Sequence, residues 1–287
     1  MSKKKIGFIG TGVMGKGIIS HLLADGHLVY VFNRTKEKTL PLIDKGAVWG
    51  GSPSSMAKEC SVIFTMVGFP TDVEEVYLGP RGLLENGQSG SVFVDLTTST
   101  PTLAKEIAEK AALKNITVLD APVSGGDIGA KNGTLSIMIG GDEKAFQTIL
   151  PIFQLFGQNI VYHGPAGLGQ HVKMSNQIVI ASTMIGVCES LVYAKEAGLD
   201  LDRVLKSISN GAAGSWSLSN LAPRMIKEDY DPGFYVRHFI KDLKIALTEA
   251  ERMDMTLPGL ALAHSLYEDI ALQGHDKNGT QALITHW

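Results

Sequence analysis

Gly10-Thr11-Gly12-Val13-Met14-Gly15 decides the reading of this chain, because it follows the apolar run Ile6-Gly7-Phe8-Ile9 and opens a helix-like segment. After a strand and before a helix, each glycine has its own task. Gly10 permits a tight turn, Gly12 lets backbone approach a pyrophosphate, and Gly15 lets helix and strand pack closely. The helix start adds free N–H groups and a dipole, so Thr11, Val13 and Met14 complete a cofactor-binding loop. A turn that needs flexible glycine for its own sake would share this spacing. The alternation that follows favours the dinucleotide.

Beyond this loop, short β-branched or apolar runs alternate with helix-like segments up to about residue 160, as in a parallel sheet with crossover helices. Strands are expected at 6–9, 28–32, 62–66, 91–95, 117–120, 135–139 and 160–162, with helices at 15–24, 36–45 and 102–114. After Gly164-Pro165-Ala166-Gly167-Leu168-Gly169 the alternation stops and the chain reads as helical, starting with a long segment over 170–197. The predicted boundary gives a domain 1–164 and a domain 165–287. Met174 to Cys188 is a run of 15 uncharged residues, short of the roughly 18 or more that suggest a membrane span. A helix so apolar around its circumference is expected to be covered on most sides, as the axis of the second domain packed also against the first domain or another subunit.

The 287 residues carry 26 Lys plus Arg against 29 Asp plus Glu, a formal charge of −3, which lacks the basic excess that nucleic-acid binding demands. A 44% hydrophobic and 19% charged composition is that of a folded chain. Only Cys60 and Cys188 are present, with no His at metal-ligand spacing, so no disulfide framework and no metal site are expected, and a cytoplasmic setting fits. Glycines interrupt the apolar stretch after Lys3-Lys4-Lys5 too early for a signal peptide.

At the end of the second strand, an acidic residue about 20 positions after the glycines would hold the ribose 2′-OH of NAD. Asn33 stands there, 18 residues after Gly15, followed by Arg34 and Thr35. No carboxylate opposes a 2′-phosphate and a guanidinium is available to bind one, which favours NADP over NAD. The other reading of Arg34 is a solvated loop residue, with NAD held by other groups.

Asp120-Ala121-Pro122-Val123-Ser124-Gly125-Gly126, leading to Gly129-Ala130, Gly133-Thr134-Leu135 and Gly140-Gly141, resembles the substrate-binding signature of the β-hydroxyacid dehydrogenase family. That family includes 3-hydroxyisobutyrate dehydrogenases and tartronate semialdehyde (2-hydroxy-3-oxopropionate) reductases. The resemblance spans nearly the whole chain. It takes in Asp95-Leu96-Thr97-Thr98, Gly167-Leu168-Gly169-Gln170-His171-Val172-Lys173-Met174-Ser175-Asn176-Gln177, Gly211-Ala212-Ala213-Gly214-Ser215, Pro232-Gly233-Phe234 and His238-Phe239-Ile240-Lys241-Asp242-Leu243. It implies an α/β Rossmann-like N-terminal domain with a parallel-rich sheet and an all-α C-terminal domain built on the long central helix. It also implies homodimers or homotetramers and NAD(P)-linked oxidation of a β-hydroxy acid.

The resemblance makes Lys173 the catalytic general acid/base, whereas position alone would allow a lysine snorkelling from a helix end. Such a lysine works near neutral pH only if burial or nearby positive charge lowers its pKa. Ser124, Gly125 and Gly126 are expected to receive a substrate carboxylate through a hydroxyl and open backbone amides. Asn176 and Gln177 share a helical face with Lys173 and are candidate substrate contacts, with the choice between the two amides open, and Asn176 reads equally as making a packing hydrogen bond. Trp216 and Phe234 border the substrate in the family, and a core aromatic explains either as well. Met66, Val67, Thr97, Thr98 and Lys241 match cofactor contacts, with Val67-Gly68-Phe69-Pro70 departing from the family's common Leu-Pro. Asp242 is read as neutralising Lys241 or capping a neighbouring element, and His238 as structural.

Three other readings compete. The chain is too short for the long C-domain of 6-phosphogluconate dehydrogenases, and Lys173 argues against imine reductases, which generally replace that lysine. A non-catalytic dinucleotide-binding module of the same fold is opposed by the intact Lys173.

Overall fold

The structure, a computed structural model, describes residues 3–287. Contacts divide it into two compact units, the first ending at Lys173 and the second covering Met174–Trp287.

The first unit is built on a six-stranded parallel sheet of β1 (Lys5–Ile9), β2 (Leu28–Phe32), β3 (Val48–Trp49), β4 (Val62–Thr65), β5 (Val92–Asp95) and β6 (Thr117–Asp120), in the order β3-β2-β1-β4-β5-β6. β1 therefore lies between β2 and β4, where the order of winding reverses. In open α/β sheets the crevice beyond the strand ends at that point binds the ligand. Ile6, Phe8, Ile63 and Phe64 are fully buried because helices cover both faces of the central strands.

The strands expected at 135–139 and 160–162 leave this sheet. They form a second, three-stranded sheet from β7 (Val123–Ser124), β8 (Leu135–Ile139) and β9 (Gly157–Tyr162), with β7 antiparallel to β8 and β8 parallel to β9. The helix expected over 36–45 is broken into a 3₁₀ turn Lys36–Thr39 and a single helical turn Leu40–Ile43, with Pro41 at its start. The helix Pro101–Ala112 begins as read, with Pro101 in its first turn and Thr100 Oγ1 accepting the Leu103 N–H at 3.1 Å.

The second unit is all-helical. Its axis is the 29-residue helix Leu168–Glu196, which begins in the first unit, and its core includes Met184, Cys188, Phe239, Leu243 and Tyr267. Within one chain this helix is covered along one stripe only. Its buried stripe runs through Ala181, Met184, Cys188 and Leu191, while Val179 is 65% and Tyr193 75% exposed on the other side. By length and composition alone the helix is long and apolar enough to cross a membrane. Among the described residues no cluster of His, Cys, Asp and Glu could hold a metal ion.

Candidate active site

At the end of β1 the chain turns at Gly10, whose φ of +102° lies in the left-handed region and where a Cβ would stand 2.0 Å from the Met66 carbonyl oxygen. Gly15 is as tightly constrained, since its Cβ would meet the Gly10 oxygen at 2.2 Å. Gly12 differs: a Cβ there would meet nothing within 4 Å, so this glycine leaves room for something other than protein. It precedes the helix Val13–Ala24, whose start carries no side-chain cap, and the buried Thr11 hydroxyl has no partner. Val13 is exposed and Met14 packs against the core. An open glycine, an uncapped helix start and an unpartnered hydroxyl together fit a bound pyrophosphate.

The end of β2 is tied to this loop. Gly10 N–H donates to Phe32 O at 2.9 Å, Thr11 N–H to Asn33 Oδ1 at 3.3 Å, and Asn33 Nδ2 to Thr35 O at 2.9 Å. Asn33 is thus a brace between the two strand ends. Arg34 is exposed and forms an ion pair at 2.9 Å with Asp72.

Thr97 is a second brace: its hydroxyl accepts the Val67 N–H at 3.0 Å, its own N–H donates to Asp95 Oδ1 at 3.0 Å, and its carbonyl accepts from Gln170 Nε2 at 2.8 Å. Gln170 also accepts the Ser99 N–H at 3.0 Å. The buried Thr97 is fully engaged with protein, whereas Thr98, Met66 and Val67 are half-buried. Asp95 is enclosed and hydrogen-bonded by Thr65 at 2.8 Å; burial pushes its carboxyl up to about 6 against the hydrogen bonds from Thr97 and Thr65.

The helix that carries Lys173 is fastened by Asp120 at the end of β6. Asp120 Oδ1 accepts the Gly167 N–H at 2.7 Å and Oδ2 the Gln170 N–H at 2.9 Å. Asp120 and Gln170 stand in the family motifs without an assigned role; their position at a strand end and a helix start is the signal in the sequence. Lys173, 6% exposed, donates from Nζ to the Val123 carbonyl at 2.9 Å. Val123 is followed by Ser124, then by Gly125 and Gly126 at φ +127° and +64°, and a Cβ on Gly126 would meet nothing within 4 Å. The buried ammonium of Lys173 and the open glycine turn are therefore neighbours.

In the second unit Gln177 and Asp242 are both buried, and Gln177 Nε2 donates to Asp242 Oδ2 at 2.7 Å. Asn176 Nδ2 donates to Gln177 Oε1 at 2.7 Å, and Lys241 Nζ lies 2.8 Å from Asp242 Oδ1. Asp242 thus neutralises Lys241 and also receives Gln177. Trp216, 54% exposed, opens the short helix Trp216–Asn220, and Phe234 packs edge-on against Phe239 at 5.8 Å.

Residues 5–164 match the family model described as the NAD binding domain of 6-phosphogluconate dehydrogenase. Residues 167–287 match the one described as the NAD-binding domain of NADP-dependent 3-hydroxyisobutyrate dehydrogenase. The chain is 59% identical to the uncharacterized oxidoreductase YkwC of Bacillus subtilis, over 99% of each. It is 37% identical to the 2-hydroxy-3-oxopropionate reductase of Escherichia coli, over 98% of this chain and 96% of that one. A solved structure of 3-hydroxyisobutyrate dehydrogenase from Mycobacterium tuberculosis with L-serine superposes with a TM-score of 0.89 at 28% identity, covering 99% of this chain and 98% of that one. With both halves matched in order and full-length relatives well above 30% identity, the chain belongs to the β-hydroxyacid dehydrogenase family of NAD(P)-dependent oxidoreductases.

Proposed function

We propose that this protein interconverts a short β-hydroxy acid and its semialdehyde, of the 3-hydroxyisobutyrate, tartronate semialdehyde or succinic semialdehyde type, with NADP preferred over NAD. The observation that carries the reading is the 2.9 Å contact of the buried Lys173 ammonium with Val123, the residue before Ser124-Gly125-Gly126. Ser124 and the amides of Gly125 and Gly126 receive the substrate carboxylate, an anion that a hydroxyl and side-chain-free backbone can surround. Lys173, held beside that turn, takes the hydroxyl proton as the neutral amine in oxidation and, as the ammonium, returns a proton to the carbonyl oxygen in reduction. A bound nicotinamide dinucleotide supplies the hydride acceptor or donor.

Gly10, Gly12 and Gly15 with the following helix start would hold its pyrophosphate. Thr98, Met66, Val67 and Lys241 would border it, and Arg34 would read the 2′-phosphate. Asn176 is the amide assigned to the substrate, because both ends of the Gln177 amide are occupied within the protein. Trp216 and Phe234 are assigned to the pocket wall. Self-association through the helical unit is supported by exposed Val179 and Tyr193, and sedimentation velocity would report a single monomeric species if that were wrong.

The test is the loss of 340-nm absorbance when NADPH, or NADH in parallel, meets tartronate semialdehyde, methylmalonate semialdehyde, succinic semialdehyde and glyoxylate. One member is expected to be reduced rapidly with NADPH. Lys173→Ala should still bind NADPH and lose most turnover; near-normal turnover in that variant would remove the assignment.

A further inference from the structure

Asp72 is not among the residues assigned to the cofactor, yet it holds the one that is assigned to the 2′-phosphate. Arg34 follows β2, and Asp72 stands in the first turn of the helix Pro70–Leu78, which follows β4. Since β1 lies between β2 and β4, an ion pair between these two residues spans the strand end from which the Gly10–Gly15 loop departs. The partners are unequal. Asp72 has a side chain only 13% exposed, and its Oδ2 is fixed by the Phe69 N–H at 3.1 Å; Arg34 is 76% exposed and meets Oδ1 at 2.9 Å. A positioned carboxylate therefore holds an exposed guanidinium beside the end of β1.

We propose that Asp72 sets the cofactor selectivity of this protein by competing with the 2′-phosphate of NADP for Arg34. This rests on the reading of Arg34 as the group that binds that phosphate. A 2′-phosphate must draw the guanidinium from Asp72 or share it, and it meets the Asp72 charge as a like charge. A 2′-hydroxyl does neither. The ion pair thus weakens NADP binding and leaves NAD binding nearly unchanged, moderating a preference that Arg34 creates.

Asp72→Asn separates the two roles of the side chain, because the carboxamide oxygen can still accept the Phe69 N–H while the charge is gone. The probes are NADPH and NADH, with 2′,5′-ADP and 5′-ADP to isolate the adenosine end, titrated calorimetrically at low salt. An exposed ion pair of this kind corresponds to about a two- to fivefold change in affinity. The variant is expected to bind NADPH and 2′,5′-ADP about that much more tightly, with NADH and 5′-ADP changed less than twofold. In an Arg34→Ala background, Asp72→Asn should lose the part of its effect that passes through the guanidinium. Asp72→Ser, which also retains an acceptor for Phe69, guards against a folding artefact in one variant.

Equal tightening of both dinucleotides, or an undiminished effect without Arg34, would overturn the proposal. If Arg34→Ala shifts the NADPH to NADH ratio while Asp72→Asn does not, only the role of Asp72 fails. If Arg34→Ala leaves the ratio unchanged, the reading of Arg34 fails and this proposal with it.

Discussion

Asp120 receives the backbone N–H of Gln170 at 2.9 Å and that of Gly167 at 2.7 Å, one on each carboxylate oxygen, so the start of the helix that carries Lys173 is clamped to the end of β6. Burial pushes the Asp120 carboxyl up from its ordinary value while these N–H donors pull it down, and the side chain is stable there as a helix cap. Replacing Asp120 by Ala leaves two buried donors without partners. A loss of about 2–4 kcal/mol is expected in urea unfolding, with Asp120→Asn, which keeps one acceptor oxygen, losing roughly half as much. Because Lys173 follows Gln170 by one helical turn, kcat should fall by about ten- to a hundredfold in Asp120→Ala. An alanine variant with normal kcat would show that the clamp serves folding alone.

Asp95 gives the protein a pH-dependent stability of defined sign. Its folded-state value of about 6 lies above the ordinary 3.8, with burial as the main cause and the charge of Asp120 adding to it. Between those values the folded chain binds more protons than the unfolded chain, so stability falls as pH rises through the window from about 4 to 6. The stabilisation is complete below the unfolded value and lost above the folded one. Roughly 2–3 kcal/mol is at stake on the usual conversion. Asp95→Asn retains the oxygen that accepts from Thr97 and Thr65, so the difference in unfolding free energy between variant and parent should change across this window. A difference that stays constant from pH 4 to 7 would refute the assignment.

How much of this was legible in the sequence depends on what each residue's neighbours are. Gly15 was readable because its constraint is local: its Cβ would meet the Gly10 oxygen within the same strand–turn–helix unit, whereas Gly10 faces the Met66 carbonyl just past β4 and was readable only through its place in the glycine spacing. The role proposed for Lys173 comes from the family resemblance, since a buried lysine at the start of an uncharged run looks the same in sequence as a snorkelling one. The departure of Leu135–Ile139 into a second sheet was missed. Its alternating burial, unlike the continuous burial of Val62–Thr65, is a weak period in Leu-Ser-Ile-Met-Ile, and its partner β7 is only two residues long. Arg34 was singled out, but its pairing with Asp72 joins positions 38 apart in sequence through the order of the strands. No motif records that distance.

Gly12 and Gly15 should separate cofactor binding from folding. Gly15→Ala places a Cβ against the Gly10 carbonyl and is expected to destabilise the protein by at least about 2 kcal/mol. Gly12→Ala meets no protein atom, so its melting temperature without cofactor should match the parent's within a few degrees. The same Cβ would stand in the open space proposed above for the pyrophosphate, and on that reading NADPH affinity should fall by about tenfold or more. Thermal melts with and without NADPH read both effects. Unaltered NADPH binding in Gly12→Ala would place the pyrophosphate elsewhere.

Asn176 and Gln177 make opposite predictions although they are adjacent. Gln177 is buried, donates to Asp242 and accepts from Asn176. Gln177→Ala therefore removes a donor from a buried carboxylate that Lys241 also touches, and about 1–3 kcal/mol of stability should go with it. Asn176 is half-buried and gives up one hydrogen bond when truncated. Asn176→Ala should unfold within about 1 kcal/mol of the parent and raise KM for the semialdehyde while leaving NADPH affinity unchanged. Urea unfolding and steady-state kinetics on the two variants decide the matter. If Gln177→Ala is the one that keeps its stability and raises KM, the substrate contact belongs to Gln177, and the Asp242 hydrogen bond contributes little to folding.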